Sequence, residues 1–214
     1  MKKIVFYILS FFFSILVISC NTKARDKKAI QLCLNKYLET TQASNGLEAI
    51  KYIDKQSIAY YDNIVKLTKT ADSTTISNLK FLDKFFVLGA RHLFKKEDIL
   101  TMNGENLFIL LVANDMVGDE EKTSNVLVQN IKIEKNHATG EVLMDKKGKV
   151  TISFNKINNE WKFNLLSTFS IAEEEFKNII SQLDDSMSED DFLVLLLKES
   201  NQKEPSKDIW KPIL

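Results

Sequence analysis

The residue whose setting points most directly to a chemical modification is Cys20. It follows a basic start at Lys2 and Lys3 and a run from Ile4 to Ser19 with almost no polar side chain. A basic start, a short apolar run and a small residue before a break are the three parts of a secretory signal peptide. The sequence therefore predicts that residues 1–19 are removed during export.

The end of this run, Val17-Ile18-Ser19-Cys20, resembles the lipobox of bacterial lipoproteins, in which an aliphatic and a small residue precede a cysteine. The resemblance implies cleavage between Ser19 and Cys20 and a diacylglycerol on the sulfur of Cys20, with palmitate among the acyl chains. It implies a bacterial cell-envelope protein that is held at the membrane by lipid. Asn21 is not the aspartate typical of inner-membrane retention, which favours the outer membrane.

Two other interpretations of the stretch remain open. An uncleaved helix from Ile4 to Ser19 would rise about 1.5 Å per residue to roughly 24 Å, less than the roughly 30 Å of a hydrocarbon core. A secreted protein without lipid is the second alternative. Under the lipoprotein interpretation, residues 20–28 are the lipidated cysteine and a polar tether, which either attracts anionic headgroups through its four cations or serves as a solvated spacer.

Charge and cysteine content argue against a nucleic-acid or metal partner. Without Lys2 and Lys3 the 29 basic residues become 27, against 29 acidic ones, and this near-balance gives no field for nucleic acid. With Cys20 lipidated, Cys33 has no cysteine partner, which excludes an intramolecular disulfide. Cys33 lies in an apolar stripe at helical spacing, where a thiol is typically a small buried hydrophobe.

The other titratable side chains form no recognisable catalytic or metal motif. Neither His92 nor His137 has a second histidine or a cysteine three or four residues away. The acidic run 184–191 fails as a calcium loop, because Glu189 stands where a glycine is needed and Leu195 where a glutamate is needed. We therefore predict no catalytic residues, no metal and no cofactor.

The first half of the globular part is predicted to be helical. Apolar spacing indicates helices over residues 29–41, 47–53, 58–67 and 106–117, and a longer helix from a cap at Ser73 or Thr74 to Leu93. Residues 95–98 are predicted to break the helical pattern, and Asn103-Gly104 is predicted to be a turn.

From Val126 the hydrophobic period changes to two, which predicts a four-stranded antiparallel meander. The strands are expected over 126–133, with a bulge at Gln129-Asn130, then around 142–144, 150–154 and 161–166. Two helices follow, the first opened by a predicted capping box at 170–173 and the second opened by residues 188–191. The fold class is thus α+β, with one domain over residues 29–200 and a tail over 201–214.

The order of helices, meander and a tryptophan after the Asn158-Asn159 turn resembles the nuclear transport factor-like, or SnoaL-like, cone fold. That resemblance implies a sheet that wraps helices around a pocket, which some members use for ketosteroid isomerase-like catalysis and many use for binding alone. The tyrosine and carboxylate of such a pocket would be Tyr60 or Tyr61 and Asp83. The extra C-terminal helices depart from the minimal fold.

The sequence analysis favours a membrane-anchored lipoprotein that acts as a binding or protein-interaction module without enzymatic activity. The expected partners are the membrane, through the anchor, and a protein or a small apolar ligand. The apolar segment 192–197 and the tail residues Trp210, Ile213 and Leu214 are expected to cover a face of the sheet, or to bind a partner if exposed. The alternative is a small-ligand carrier or an enzyme that uses the cone pocket.

Overall fold

The computed structural model describes residues 2–118, 126–144, 148–182 and 187–214, with side chains described from Thr22 onward except at Asn201. The helices are α1 (Lys2–Gln42), α2 (Gly46–Ala49), α3 (Lys55–Thr70), α4 (Ser73–Ser77), α5 (Phe81–Leu93), α6 (Lys96–Thr101), α7 (Gly104–Ala113), α8 (Phe169–Ile180) and α9 (Glu189–Asn201). The strands are β1 (Gln129–Glu134), β2 (His137–Met144), β3 (Gly148–Ile157) and β4 (Glu160–Asn164). Short 3₁₀ helices cover Ile50–Tyr52, Leu165–Thr168 and Lys207–Trp210. The predicted α+β class is confirmed.

The sheet is the predicted antiparallel meander, with strand order β1-β2-β3-β4. The register shifts between Gln129 and Lys132, where the parity change of the sequence predicts a bulge. The turn between β3 and β4 has φ of 50° at Asn158 and 67° at Asn159, values that a two-residue hairpin needs and that asparagine tolerates. The predicted loop between β2 and β3 lies mostly in residues 145–147, outside the described residues.

One face of the sheet packs against helix α1. Alternate residues of the central and last strands, Phe154, Trp161 and Phe163, are at most 4% exposed. The ring of Tyr37 on α1 lies 5.1 Å from the ring of Phe163. Burial of the thiol of Cys33 on the same helix raises its pKa to about 12, so Cys33 is the buried hydrophobe that the sequence predicts.

Helix α1 extends into the segment predicted to be a tether. Residues 22–28 are helical, and the carboxylate of Asp26 bonds to two residues of the sheet, Lys156 and Trp161. The segment is therefore attached to the domain at Asp26, while residues 22–25, 27 and 28 are exposed to solvent.

The single long helix predicted from residue 73 to residue 93 is wrong, because the chain breaks at residues 78–80 into α4 and α5. Asp72 caps α4 in place of Ser73 or Thr74. The capping box predicted at 170–173 is also wrong: α8 begins earlier, and Glu173 instead accepts a hydrogen bond of 3.0 Å from the backbone N–H of Leu82 at the start of α5. The break predicted at 95–98 contains the start of α6.

The C-terminal segments make their main contacts with helix α5. The sequence analysis expected them to cover a face of the sheet instead. The ring of Phe192 on α9 lies 6.0 Å from that of Phe81, and Leu193 and Leu197 are fully buried. Residues 188–191 open helix α9 as predicted, and the structure shows that Ser188 and Asp191 form a capping box there. The backbone carbonyl of Ile209 accepts a hydrogen bond from Arg91 of α5.

Candidate binding cleft

The predicted lipid attachment at Cys20 and the cleavage site after Ser19 lie outside the residues whose side chains are described, so the anchor stays a prediction. Among the residues whose side chains are described, from Thr22 onward, no helix combines the length and the apolar character that a membrane crossing requires. Within that part there is also no cluster of three His, Cys, Asp or Glu side chains that could hold a metal ion.

Two of the three predicted pocket residues are neighbours in space. The hydroxyl of Tyr60 donates a hydrogen bond of 2.5 Å to Asp83. The ring of Tyr60 lies 4.8 Å from that of Phe169 and 6.4 Å from that of Phe86, both in edge-to-face geometry. Burial, followed by the hydrogen bond to Asp83, raises the pKa of Tyr60, so the phenol stays protonated and continues to donate.

The third predicted pocket residue, Tyr61, points into the core: its ring lies 5.3 Å from that of Tyr60, edge to face, but its hydroxyl does not bond to Asp83. It is fully buried, and within the described chain its hydroxyl has no hydrogen-bond partner. Its ring packs 5.3 Å from Phe108 and 5.7 Å from Phe86. Tyr60 and Tyr61 thus belong to an aromatic cluster that joins α3, α5 and α7, and Asp83 bonds to the edge of it.

Two hollows of the described structure lie away from these residues. One, of about 410 Å³, is bordered by α3, by Met102 and Asn103, and by the C-terminal Leu214. The other, of about 510 Å³, lies between strand β3 and helix α8 and is called the β3–α8 cleft here. Residues 149–151 form one wall of this cleft, and Ser167, Ser170, Ile171, Glu174, Glu175 and Asn178 form the other.

The strand wall of the β3–α8 cleft is an uncovered sheet edge. Strand β4 pairs with β3 only from Ser153 to Ile157, so it does not extend alongside residues 149–151. The N–H of Ser153 points to this side, because it donates to the hydroxyl of Ser167 at 3.2 Å. The N–H of Lys156 points to the opposite side, where it donates to the carbonyl of Asn136.

Backbone groups of a strand alternate in direction with every residue. Because Ser153 points toward the cleft, the N–H and C=O groups of Thr151 and Lys149 point there as well. Both residues are exposed. Two residues of β3 therefore present main-chain donors and acceptors to an open cleft in which the described chain places no strand.

Comparison with known proteins identifies no relative: no protein-family model matches the chain, and neither the curated proteins nor the solved structures contain a significant match.

The sequence analysis missed this cleft because it predicted too long a final strand. The alternation of Trp161, Phe163 and Leu165 favoured a strand to residue 166, which would have covered the edge of β3. The strand ends instead at Asn164, whose side chain accepts a hydrogen bond of 3.1 Å from the N–H of Leu166 and starts the 3₁₀ helix. Asparagine is a favoured residue at the start of a helix, and Asn164, with Ser167 and Thr168 shortly after it, could have indicated the end of the strand.

Proposed function

We propose that the protein is a lipid-anchored lipoprotein of the bacterial envelope whose domain binds an extended segment of a partner protein in the β3–α8 cleft. The observation that carries the binding role is the uncovered edge of β3 at Lys149 and Thr151. The anchor rests on the apolar run and the lipobox that end at Cys20.

The edge supports recognition by strand addition. A segment lying antiparallel or parallel to residues 149–151 would exchange main-chain hydrogen bonds with Thr151 and Lys149, and such bonds supply affinity with little demand on partner sequence. The hydroxyl of Ser167 already accepts a hydrogen bond from the N–H of Ser153, the next N–H of β3 that points toward the cleft. The stretch of β3 that is open to a partner strand therefore lies before Ser153.

The helix side of the cleft supplies polar side chains for selectivity. Glu174 and Asn178 are exposed on α8, one turn apart, and Ser170 lies one turn before Glu174. These side chains suit a partner segment with basic or hydrogen-bonding side chains on the face toward α8, while Ile171 gives one apolar contact.

The test removes one main-chain donor without disturbing the sheet. Thr151→Pro deletes the N–H that points into the cleft and no ladder bond to β2, and proline is tolerated at such an edge position. Thr151→Ala is the matched control, since it changes the same side chain and keeps the N–H. A photoactivatable residue in place of Glu174 reports the partner by crosslinking in the host envelope.

A specific protein adduct should form with Thr151 and with Thr151→Ala and should be lost with Thr151→Pro, while the thermal midpoint of all three stays similar. An adduct that survives Thr151→Pro, or no specific adduct from position 174 at all, would overturn strand addition in this cleft.

A further inference from the structure

The contact between Asp26 and the sheet fixes which end of the domain faces the membrane, provided that the proposed anchor at Cys20 is correct. We infer that the end of the sheet formed by the β1–β2 turn (Lys135-Asn136) and the β3–β4 turn (Asn158-Asn159), called the turn end here, lies against lipid headgroups. The β3–α8 cleft then lies at the far end of the sheet, away from the bilayer.

The chain between the anchor and the sheet is short. Helical residues from Thr22 to Asp26 rise about 1.5 Å each, or about 6 Å in all. The two steps from Cys20 to Thr22 add at most about 7 Å even when fully extended. Asp26 therefore lies within about 13 Å of the lipidated residue.

Asp26 is bound at the turn end of the sheet. Its carboxylate accepts hydrogen bonds from Lys156 and from Trp161, which form a cross-strand pair next to the β3–β4 turn. The N–H of Lys156 donates to the carbonyl of Asn136, so the β1–β2 turn lies beside it. A short link to this end brings both turns to the membrane surface.

The charge of the surface around Asp26 fits a headgroup layer. Four exposed cations lie within three residues of Asp26, at Lys23, Arg25, Lys27 and Lys28, and Lys135 is exposed in the adjacent turn. Of the carboxylates at this end, Asp26 is bonded to Lys156 and Glu160 to Lys162 at 2.6 Å, and Glu134 is exposed next to Lys135. Near a surface with anionic lipids such cations are attracted to the headgroups.

The cleft is distant from this surface. Thr151 precedes Lys156 by five residues along β3, which is about 17 Å at about 3.3 Å per residue. An anchor that holds the turn end to the bilayer thus leaves the free edge of β3 accessible to a partner in the aqueous compartment.

The test uses the full lipidated protein, purified from host membranes and reconstituted in vesicles of phosphatidylethanolamine and phosphatidylglycerol that carry a nitroxide quencher on a fraction of the headgroups. A thiol-reactive fluorophore is placed at Asn136→Cys or at Thr151→Cys. Lipid occupies the sulfur of Cys20, and Cys33 is 5% exposed with a raised pKa, so the introduced thiol is labelled selectively.

Quenching should be several-fold stronger for the label at position 136 than for the label at position 151, and Asp26→Ala should reduce that difference. Equal quenching, or stronger quenching at position 151, would overturn the orientation. The intact mass of the same sample reports the diacylglycerol separately: its absence would refute the anchor itself, whereas a lipidated protein with the wrong quenching pattern would refute the orientation alone.

Discussion

Asp26 and Trp161 are 135 positions apart in the chain and are joined by a hydrogen bond of 3.0 Å from the indole Nε1 to the carboxylate. The same carboxylate oxygen accepts a bond of 2.8 Å from the ammonium of Lys156, which also lies 5.4 Å above the centre of the Trp161 ring. The three side chains join α1, close to the first of its residues with described side chains, to the last two strands. They thereby connect the proposed anchor point to the sheet.

We expect Asp26→Ala to lower the free energy of unfolding by about 2 kcal/mol, because two hydrogen bonds to a charged group are lost. Both partners in the ion pair are less than one-fifth exposed, so solvent screens the contact only in part. Asp26→Asn should cost less, since its amide oxygen still accepts from Trp161. Urea denaturation of both variants measures the difference, with Glu97→Gln on the exposed start of α6 as the control.

The same contact gives a pH dependence. Partial burial alone would raise the pKa of Asp26, but the hydrogen bonds from Lys156 and Trp161, with the nearby positive charges, outweigh it and lower the pKa. Because the pKa is lower in the folded than in the unfolded chain, the stabilisation is complete above the ordinary aspartate value of about 3.9 and is lost as pH falls below it. An Asp26→Ala variant whose deficit is unchanged at acid pH would contradict this assignment.

The neighbouring tyrosines provide a matched pair of substitutions. Tyr60→Phe removes the donor to Asp83 and should lower the free energy of unfolding by about 1 to 2 kcal/mol. Tyr61→Phe removes a buried hydroxyl that has no partner in the described structure, so it should be neutral or slightly stabilising. Thermal or urea unfolding measures the stability of both variants. If Tyr61→Phe is the less stable of the two, the hydroxyl of Tyr61 has a hydrogen-bond partner after all.

The ion pairs of Lys84 should respond asymmetrically to mutation. Lys84 is buried, with its ammonium 2.7 Å from Glu189 and 3.3 Å from Asp190, whereas these carboxylates are more than two-fifths exposed. Lys84→Met leaves both carboxylates hydrated and fills the site with an apolar chain, so it should cost little. The double variant Glu189→Gln with Asp190→Asn leaves the buried ammonium of Lys84 without these two carboxylates and should lower the free energy of unfolding by about 3 kcal/mol. Urea unfolding at neutral pH measures both, and equal costs would contradict this explanation.

The parts of the fold that follow from local sequence were predicted, and the parts set by distant contacts were not. The alternation of Val150, Ile152 and Phe154 and the two asparagines of the last turn determine the meander, because period and turn chemistry act within a few residues. The role of Glu173 could not be found in this way. Its spacing from Ser170 fits a capping box, yet its carboxylate caps helix α5, which lies 91 residues earlier.

The candidate site shows the same difference between features that local sequence predicts and features that distant contacts determine. A family resemblance suggested Tyr60, Tyr61 and Asp83 as residues of a pocket. Tyr60 and Asp83 do bond to each other, but in a packed aromatic cluster outside both hollows. The β3–α8 cleft exists because β4 ends at Asn164, where one side-chain cap starts the 3₁₀ helix. The alternation of apolar residues continues beyond this point, so it predicted a strand that was too long. Element boundaries of this kind decide which backbone groups are left free for a partner.

The lipid anchor is tested by comparing the two cysteines of the chain. Cys20→Ser removes the sulfur that would carry the diacylglycerol, so the protein should incorporate no labelled palmitate in its host and should not be cut after Ser19. Cys33→Ser is the matched control: it should be lipidated and cleaved like the unaltered protein, and its effect should be confined to stability, because Cys33 is 5% exposed and its Sγ donates to the carbonyl of Tyr52 at 3.4 Å. Metabolic labelling followed by intact mass measurement separates the two effects. Palmitate incorporation that persists in Cys20→Ser would place the lipid elsewhere and would remove the basis for an anchor next to Asp26.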